Sequence, residues 1–283
     1  MLKYRLVFGA LMIFVFVGLV LLDGWGDGSL MQGTPHHRVQ ATILALLVVL
    51  LTIPAQFELG NLIKQTGAHL FKSVTIPTSI LLATIPYWIQ NDKAWVLYAL
   101  CVPAFSLLAL FLAQALKFGT EGTIRNVSAS VFSIIYLGLF CMFIVGIRVF
   151  WGPWVLLFFV FTIKSSDTGA YAFGRLFGKH KLCPRISPGK TWEGLAGAAV
   201  VAAGVSFVFS HYCGIMSGLW AVAFGAVFGV LGQLGDLVES MIKRDAALKD
   251  SSSRIPGFGG LLDVIDSPLA TAPIAYAVFM FLL

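Results

Sequence analysis

The sequence predicts an all-α, polytopic integral membrane protein of about nine transmembrane helices, and three observations carry that reading. Hydrophobic residues make up 58% of the chain and charged residues only 11%, where a soluble domain carries about a quarter charged residues. Apolar runs recur along most of the 283 residues, giving a mean hydropathy of +0.90. The basic residues fall in alternate connections between those runs. No long polar stretch intervenes, so residues 1–283 read as a single membrane domain, with scaffold spans in 1–150 and most polar chemistry in 151–283.

A spanning helix needs about 20 largely apolar residues. That rule predicts spans near 5–22, 39–57, 71–90, 94–116, 127–147, 150–164, 194–211, 214–241 and 266–283. The first run follows Lys3 and Arg5 in the manner of a secretory leader. It passes into Asp23-Gly24-Trp25-Gly26-Asp27 without a small-residue cleavage site, and reads as a retained span. The sixth is short and runs straight into polar sequence. Trp88, Trp95, Trp151, Trp154 and Trp220 fall near predicted ends, as an aromatic belt requires.

Charge asymmetry tests the count of nine. With nine spans, Lys3, Arg5 and the basic residues of the second, fourth, sixth and eighth connections lie on one side, leaving only Arg38, Lys93 and Arg148 of the 19 Lys and Arg residues on the other. Positive residues favour the cytoplasm, so the N-terminus and the even-numbered connections are expected there, in a multi-pass protein of the cell membrane. The formal charge of +6 is not gathered into an aromatic-interleaved basic domain, which argues for lipid headgroups or phosphates as partners rather than nucleic acid. Cys101, Cys141, Cys183 and Cys213 lack CxxC spacing and read as free thiols in a packed interior.

The most informative stretch runs from Gly225 to Pro268. On a helix Gly225, Gly229, Gly232 and Asp236 form one stripe, and glycines so spaced let a neighbouring backbone approach closely. Asp236, Glu239, Ser240 and Lys243 then stand at i, i+3, i+4 and i+7 on one face. Two carboxylates one turn apart repel unless a cation intervenes. Lys243 could supply it in a structural ion pair. Asp263 and Asp266, a second acidic pair before the last apolar run, favour instead a hard metal bound through oxygen and hence phosphate chemistry. Ionisable groups near bilayer depth are expensive and mark sites.

The sixth connection reads SSDTGAYAFGRLFGKHKLCPRISPGKTWEG from Ser165 to Gly194. Asp167 and its glycines allow close approach to a ligand, and Lys190, flanked by Gly189 and Thr191, is placed to hold phosphate. Lys179 and Lys181 fit an ordinary basic loop obeying charge asymmetry. A Walker A reading fails because Pro184 stands where the motif needs glycine. His36, His37, His69, His180 and His211 show no zinc spacing, and no GxSxG elbow occurs.

These residues also resemble a family signature. Ser240, Lys243-Arg244, Lys249-Asp250, Ser252, Pro256, Gly259-Gly260, Asp263 and Asp266 are similar to the C-terminal signature of the phosphatidate cytidylyltransferase (CDP-diacylglycerol synthase) family, as are SDTGAYAFGR, SPGKTWEG and GQLGDLVES. The resemblance is strong over residues 160–268. Phe258 stands where the family has His, and Val264 where it has Arg. The resemblance implies that CTP and phosphatidic acid are converted to CDP-diacylglycerol and pyrophosphate with Mg²⁺, the spans of 151–283 being catalytic. On that basis Asp236 and Asp263 are expected to hold metal, with Glu239, Asp266 and Asp167 as further ligands or their supports. Lys190, Lys243, Arg244, Lys249 and Arg254 would receive nucleotide or lipid phosphates beside Ser240, and Asp250 would orient one of these cations. A cation-coupled transporter and a CTP-dependent polyisoprenoid lipid kinase are the competing classes. Abundant glycine stripes make a homodimer plausible.

Overall fold

The computed structural model describes residues 2–30, 39–90, 95–252 and 259–283. Its helices are α1 (Leu2–Gly26), α2 (Thr42–Gln65), α3 (Lys72–Trp88), α4 (Trp95–Phe118), α5 (Thr123–Ser133), α6 (Phe140–Phe177), α7 (Trp192–Cys213), α8 (Gly218–Asp245) and α9 (Leu262–Leu282), with a π-helical turn over Ile134–Leu139. Among the described residues seven helices are long and apolar enough to cross a membrane, one being the continuous 55-residue run Thr123–Phe177. The protein is therefore an all-α, multi-pass membrane protein. Arg254, Pro256, Phe258, His36 and His37 lie outside the described residues.

The long run bends at Gly152, whose φ of 85° breaks the helix immediately before Pro153. Proline removes a backbone donor and glycine supplies the left-handed conformation, so the kink has a local cause. At ~1.5 Å per residue the run is too long for one ~30 Å hydrocarbon layer, and the bend divides it near the boundary expected between the fifth and sixth spans. Two details differ from expectation. The helix continues through the polar residues 165–177, so Asp167 sits on α6 rather than in a loop. The remaining connection folds as an antiparallel hairpin of β1 (Lys181–Cys183) and β2 (Ser187–Thr191), in which Lys181 faces Thr191. Of the four cysteines, all free, only Cys141 is buried.

Close approach explains the glycine stripe. A Cβ on Gly225 would overlap the Ala202 carbonyl oxygen, and one on Gly229 would stand 2.7 Å from that of Ala198. Both obstacles are backbone, so α7 and α8 touch through these glycines and the stripe is used within the chain. On the other half of the molecule Gln56 links three helices: its Nε2 donates to Ser79 Oγ at 2.8 Å, and its Oε1 accepts from Thr75 Oγ1 at 3.1 Å and Ser133 Oγ at 2.6 Å.

The end of α2 remote from the α2–α3 connection is tied by a buried ionic cluster. Arg148, 0% exposed, places Nη2 at 2.9 Å from Asp23 and 2.8 Å from Asp27. The same two carboxylates accept from the backbone amides of Ile43 (2.7 Å) and Ala41 (3.1 Å), which belong to the start of α2. Acidic groups at a helix N-terminus satisfy its orphan amides and complement its dipole. Arg148 thus joins α6 to both α1 and α2.

Candidate active site

The site is built where α6, α8 and α9 meet beneath the hairpin. A cavity of ≈390 Å³ opens there, lined by Lys164, Asp167, Lys190, Asp236, Asp263 and Asp266 among others. The helical stripe on α8 delivers Asp236 and Glu239, and the opening turns of α9 deliver Asp263 and Asp266. Ligand oxygens of Asp236, Glu239 and Asp266 lie within 4.8 Å of one another. Glu239 is buried, and its Oε1 has no hydrogen-bond partner among the described residues. A buried carboxylate oxygen left so costs free energy unless a cation or a proton takes it. Oxygen donors only, in this number, fit a hard divalent ion.

Three lysines interleave with the carboxylates. Lys190 Nζ lies 2.8 Å from Asp236 Oδ2 and donates to the Gln233 carbonyl at 2.7 Å. Lys164 Nζ stands 3.4 Å from Asp167 Oδ2 and 3.7 Å from Asp266 Oδ1. Lys243 Nζ bridges Glu239 at 2.7 Å and Asp263 at 2.5 Å. Counted as fully ionised, five carboxylates (Asp167, Asp236, Glu239, Asp263 and Asp266) face three ammonium groups, an excess of two formal negative charges. That imbalance equals the charge of one divalent cation.

The structure divides the residues singled out in the sequence. It brings Asp236, Glu239 and Asp266 together, with Lys190 and Asp167 at the same cavity. Asp263 lines that cavity too, but its oxygens are engaged elsewhere: Oδ1 by Lys243, and Oδ2 by the Ser251 amide (3.1 Å), the Ser251 hydroxyl (2.7 Å) and the Gly260 amide (2.7 Å). Lys243 spans both carboxylate groups, so the structural ion pair and the acidic cluster weighed as alternatives coexist. Ser240 Oγ is 3.5 Å from Asp236. Arg244 donates from Nε to the Ile186 carbonyl (3.2 Å) and from Nη1 to that of Leu248 (3.2 Å), tethering the hairpin turn to the end of α8. Lys249 and Asp250 are exposed just beyond it.

Three participants were missed by sequence reasoning. Lys164 was counted only as a topological charge. Gln233 donates from Nε2 to Asp167 Oδ1 at 2.9 Å, joining α8 to α6. Glu58 on α2 is 2% exposed, accepts from Ser252 Oγ at 2.9 Å and the Leu262 amide at 3.1 Å, and lies 3.3 Å from Ser251 Oγ. It fixes both sides of the connection that carries the signature. Glycine at 260 follows from this, because a Cβ there would fall 2.5 Å from Glu58 Oε2 and closer still to Ser251 Oγ. The signal for Glu58 was present: a carboxylate at the end of an apolar run.

Fold and site together define a multi-pass membrane protein whose helix ends converge on a carboxylate and ammonium pocket suited to phosphate groups. Comparison with known proteins narrows that class. The profile of the Cytidylyltransferase family matches residues 3–282, and the chain belongs to that family. A phosphatidate cytidylyltransferase of Haemophilus influenzae is 33% identical over 235 residues, covering 81% of this chain and 70% of the relative. One of Staphylococcus saprophyticus is 34% identical over 242 residues, covering 82% and 88%. One of Mycobacterium bovis is 37% identical over 163 residues, covering 56% and 52%.

Proposed function

We infer that this chain is a phosphatidate cytidylyltransferase, a nucleotidyltransferase of phospholipid biosynthesis that converts CTP and phosphatidic acid to CDP-diacylglycerol and pyrophosphate. The observation that carries the chemistry is the gathering of Asp236, Glu239 and Asp266 within 4.8 Å at the ends of membrane helices. The family membership supports the substrates.

An oxygen of the phosphatidate phosphomonoester attacks the α-phosphorus of CTP. A new P–O–P linkage forms as the bond from the α-phosphorus to the bridging oxygen breaks, and pyrophosphate leaves with that electron pair. Phosphomonoesters have a second pKa of ~6, so the nucleophile is already ionised near neutral pH and needs no strong general base. The obstacle is repulsion between two anions. Lys190 and Lys164, which both line the cavity, hold phosphoryl oxygens in line. Lys243 keeps Glu239 and Asp263 in place, and Arg244 and Lys249 extend positive charge to the mouth. Asp236, Glu239 and Asp266 would hold Mg²⁺, which supplies charge neutralisation and orientation for in-line displacement when bound.

The nine-span topology, with the N-terminus and the acidic pocket facing the cytoplasm of the cell membrane, completes the reading. It is supported by the kink at Gly152 and by the helical, partly buried character of α3. The decisive experiment incubates purified protein with labelled CTP, Mg²⁺ and phosphatidic acid. A lipid carrying the CMP label together with released pyrophosphate is expected. A phosphorylated lipid with CDP would indicate a kinase instead, and no conversion of either kind would favour transport.

A further inference from the structure

A second cleft, of ≈480 Å³, lies between the α2–α3 connection and the end of α4, lined in part by His69, Lys72, Ser73, Ala113 and Lys117. It shares no lining residue with the reaction pocket. Glu58 on α2 reaches toward α9, whereas Phe57 and Gly60 on the same helix meet Lys72.

The electrostatics of this cleft are one-sided. Among the described residues no carboxylate lines it. Lys117 Nζ stands 3.2 Å from His69 Nε2. An ammonium can only donate, so the ring nitrogen accepts and the imidazole is neutral. Burial first, then Lys117 and Lys72, hold the His69 pKa below its ordinary 6.5. Each lysine leans on an aromatic face, Lys72 at 4.3 Å from the Phe57 centroid and Lys117 at 5.4 Å from that of Phe118. Ser73 adds a hydroxyl from the first turn of α3, whose neighbouring amides of Lys72, Val74 and Thr75 are already taken by the Leu70 and Phe71 carbonyls. Two ammonium groups and a hydroxyl thus converge, with nothing anionic between them among the described residues.

Beside Lys117 the α4 surface is an apolar track. Leu108, Leu112 and Leu116 are 67%, 62% and 80% exposed and follow one another at intervals of four. We propose that this cleft binds the phosphate of a membrane glycerophospholipid, its acyl chain lying along Leu108, Leu112 and Leu116, as a site separate from the reaction pocket. Free phosphate shares the anion chemistry but gains nothing from the apolar track. The proposal does not depend on the reaction assigned above, because its probe is a phospholipid that is not consumed.

The test uses the full chain in neutral detergent, with phosphatidylglycerol, phosphatidylcholine and inorganic phosphate as probes and bound lipid counted by native mass spectrometry. Lys72→Gln/Lys117→Gln is expected to weaken phosphatidylglycerol binding about tenfold, with Lys64→Gln, an exposed charge outside the cleft, as wild type. Leu112→Gln/Leu116→Gln is expected to weaken the lipid as well. The single Lys117→Gln variant, at an exposed position, provides the readout if the double variant does not fold. Undiminished phosphatidylglycerol binding in the lysine variants would overturn the proposal. So would an equal loss in Lys64→Gln, which would mean diffuse charge attraction, or displacement of the lipid by millimolar inorganic phosphate.

Discussion

Lys190 Nζ, carried on β2 of the hairpin, lies 2.8 Å from Asp236 Oδ2 on α8. This contact brings the only regular extended segment among the described residues onto the acidic end of a membrane helix. The ammonium is positioned before any phosphate arrives, which is where preorganised charge is most effective. Lys190→Gln should therefore lower kcat/KM by ~10²–10³-fold, the usual effect of removing one preorganised donor. Steady-state rates with CTP and phosphatidic acid check this; activity within threefold of wild type would remove Lys190 from the mechanism.

The carboxylates should separate into two groups by their response to metal. Asp236→Asn, Glu239→Gln and Asp266→Asn each remove an oxygen from the cluster and should raise the Mg²⁺ concentration needed for half-maximal rate at least tenfold. Asp263→Asn instead disturbs Lys243, Ser251 and Gly260, and should lower kcat with little change in that requirement. Removal of divalent ions by a chelator should abolish turnover reversibly. Magnesium titrations of the four variants distinguish these outcomes, and an identical shift in all four would contradict the division.

Glu58 acts at a distance from any reacting atom, through the connection it anchors. Glu58→Ala removes the acceptor of the Leu262 amide and one acceptor of the Ser252 hydroxyl, at a cost of ~2–4 kcal/mol for several buried hydrogen bonds to a charged acceptor. Hydrogen exchange at the Leu262 amide should accelerate and activity should fall. Gln at 58 keeps one acceptor oxygen and should recover part of the exchange protection. Unchanged exchange at Leu262 in Glu58→Ala would show that the anchor is dispensable.

The contact between α7 and α8 should be intolerant of a single methyl group. Gly225→Ala and Gly229→Ala each place a Cβ against backbone carbonyls, and overpacking of this kind costs ~1–3 kcal/mol or more. Thermal unfolding in detergent should shift down by several degrees for each. Gly18→Ala, where an added Cβ meets nothing within 4 Å, should be neutral.

His69 should titrate below 6.5, the direction set by its burial and by Lys117 and Lys72. A histidine held neutral in the fold gives stability that is present above the unfolded pKa and is lost as pH falls through the lower folded value. The folded protein should therefore weaken slightly below pH ~6.5. Lys117→Gln should move the His69 pKa upward, as ¹⁵N-histidine NMR would show. A His69 pKa at or above 6.5 in the wild type would contradict the one-sided charge of the cleft.

Much of this architecture was legible in the chain because hydropathy and helical periodicity are local. The apolar runs locate most helix ends within about four residues, though α2 runs on to Gln65 and α6 to Phe177, and the spacing of Asp236, Glu239 and Lys243 places them on one face without reference to any other part of the sequence. What was not legible depends on distant partners. Glu58 meets Ser252 across 194 positions and Leu262 across 204, and no periodicity encodes that. Asp263 and Asp266 looked equivalent one turn apart, yet the turn between them rotates one toward Lys243 and the other toward Asp236. The hairpin was hidden because its few residues carry loop-like Ser, Pro and Gly. The continuation of α6 through Asp167 was masked by polarity, which hydropathy reads as an end to the helix.

Arg148 and its two acidic partners impose an order on biosynthesis. Asp27 emerges 121 residues ahead of the guanidinium that neutralises it, an interval of roughly 6–24 s at typical translation rates of ~5–20 residues/s. Until then Asp23 on the first helix and Asp27 just beyond its end lack the guanidinium that pairs them in the finished fold. Its final seat against the second helix is therefore completed only when more than half the polypeptide has been made, and replacing Arg148 by a neutral residue would leave the earliest segment of the protein without its last point of attachment.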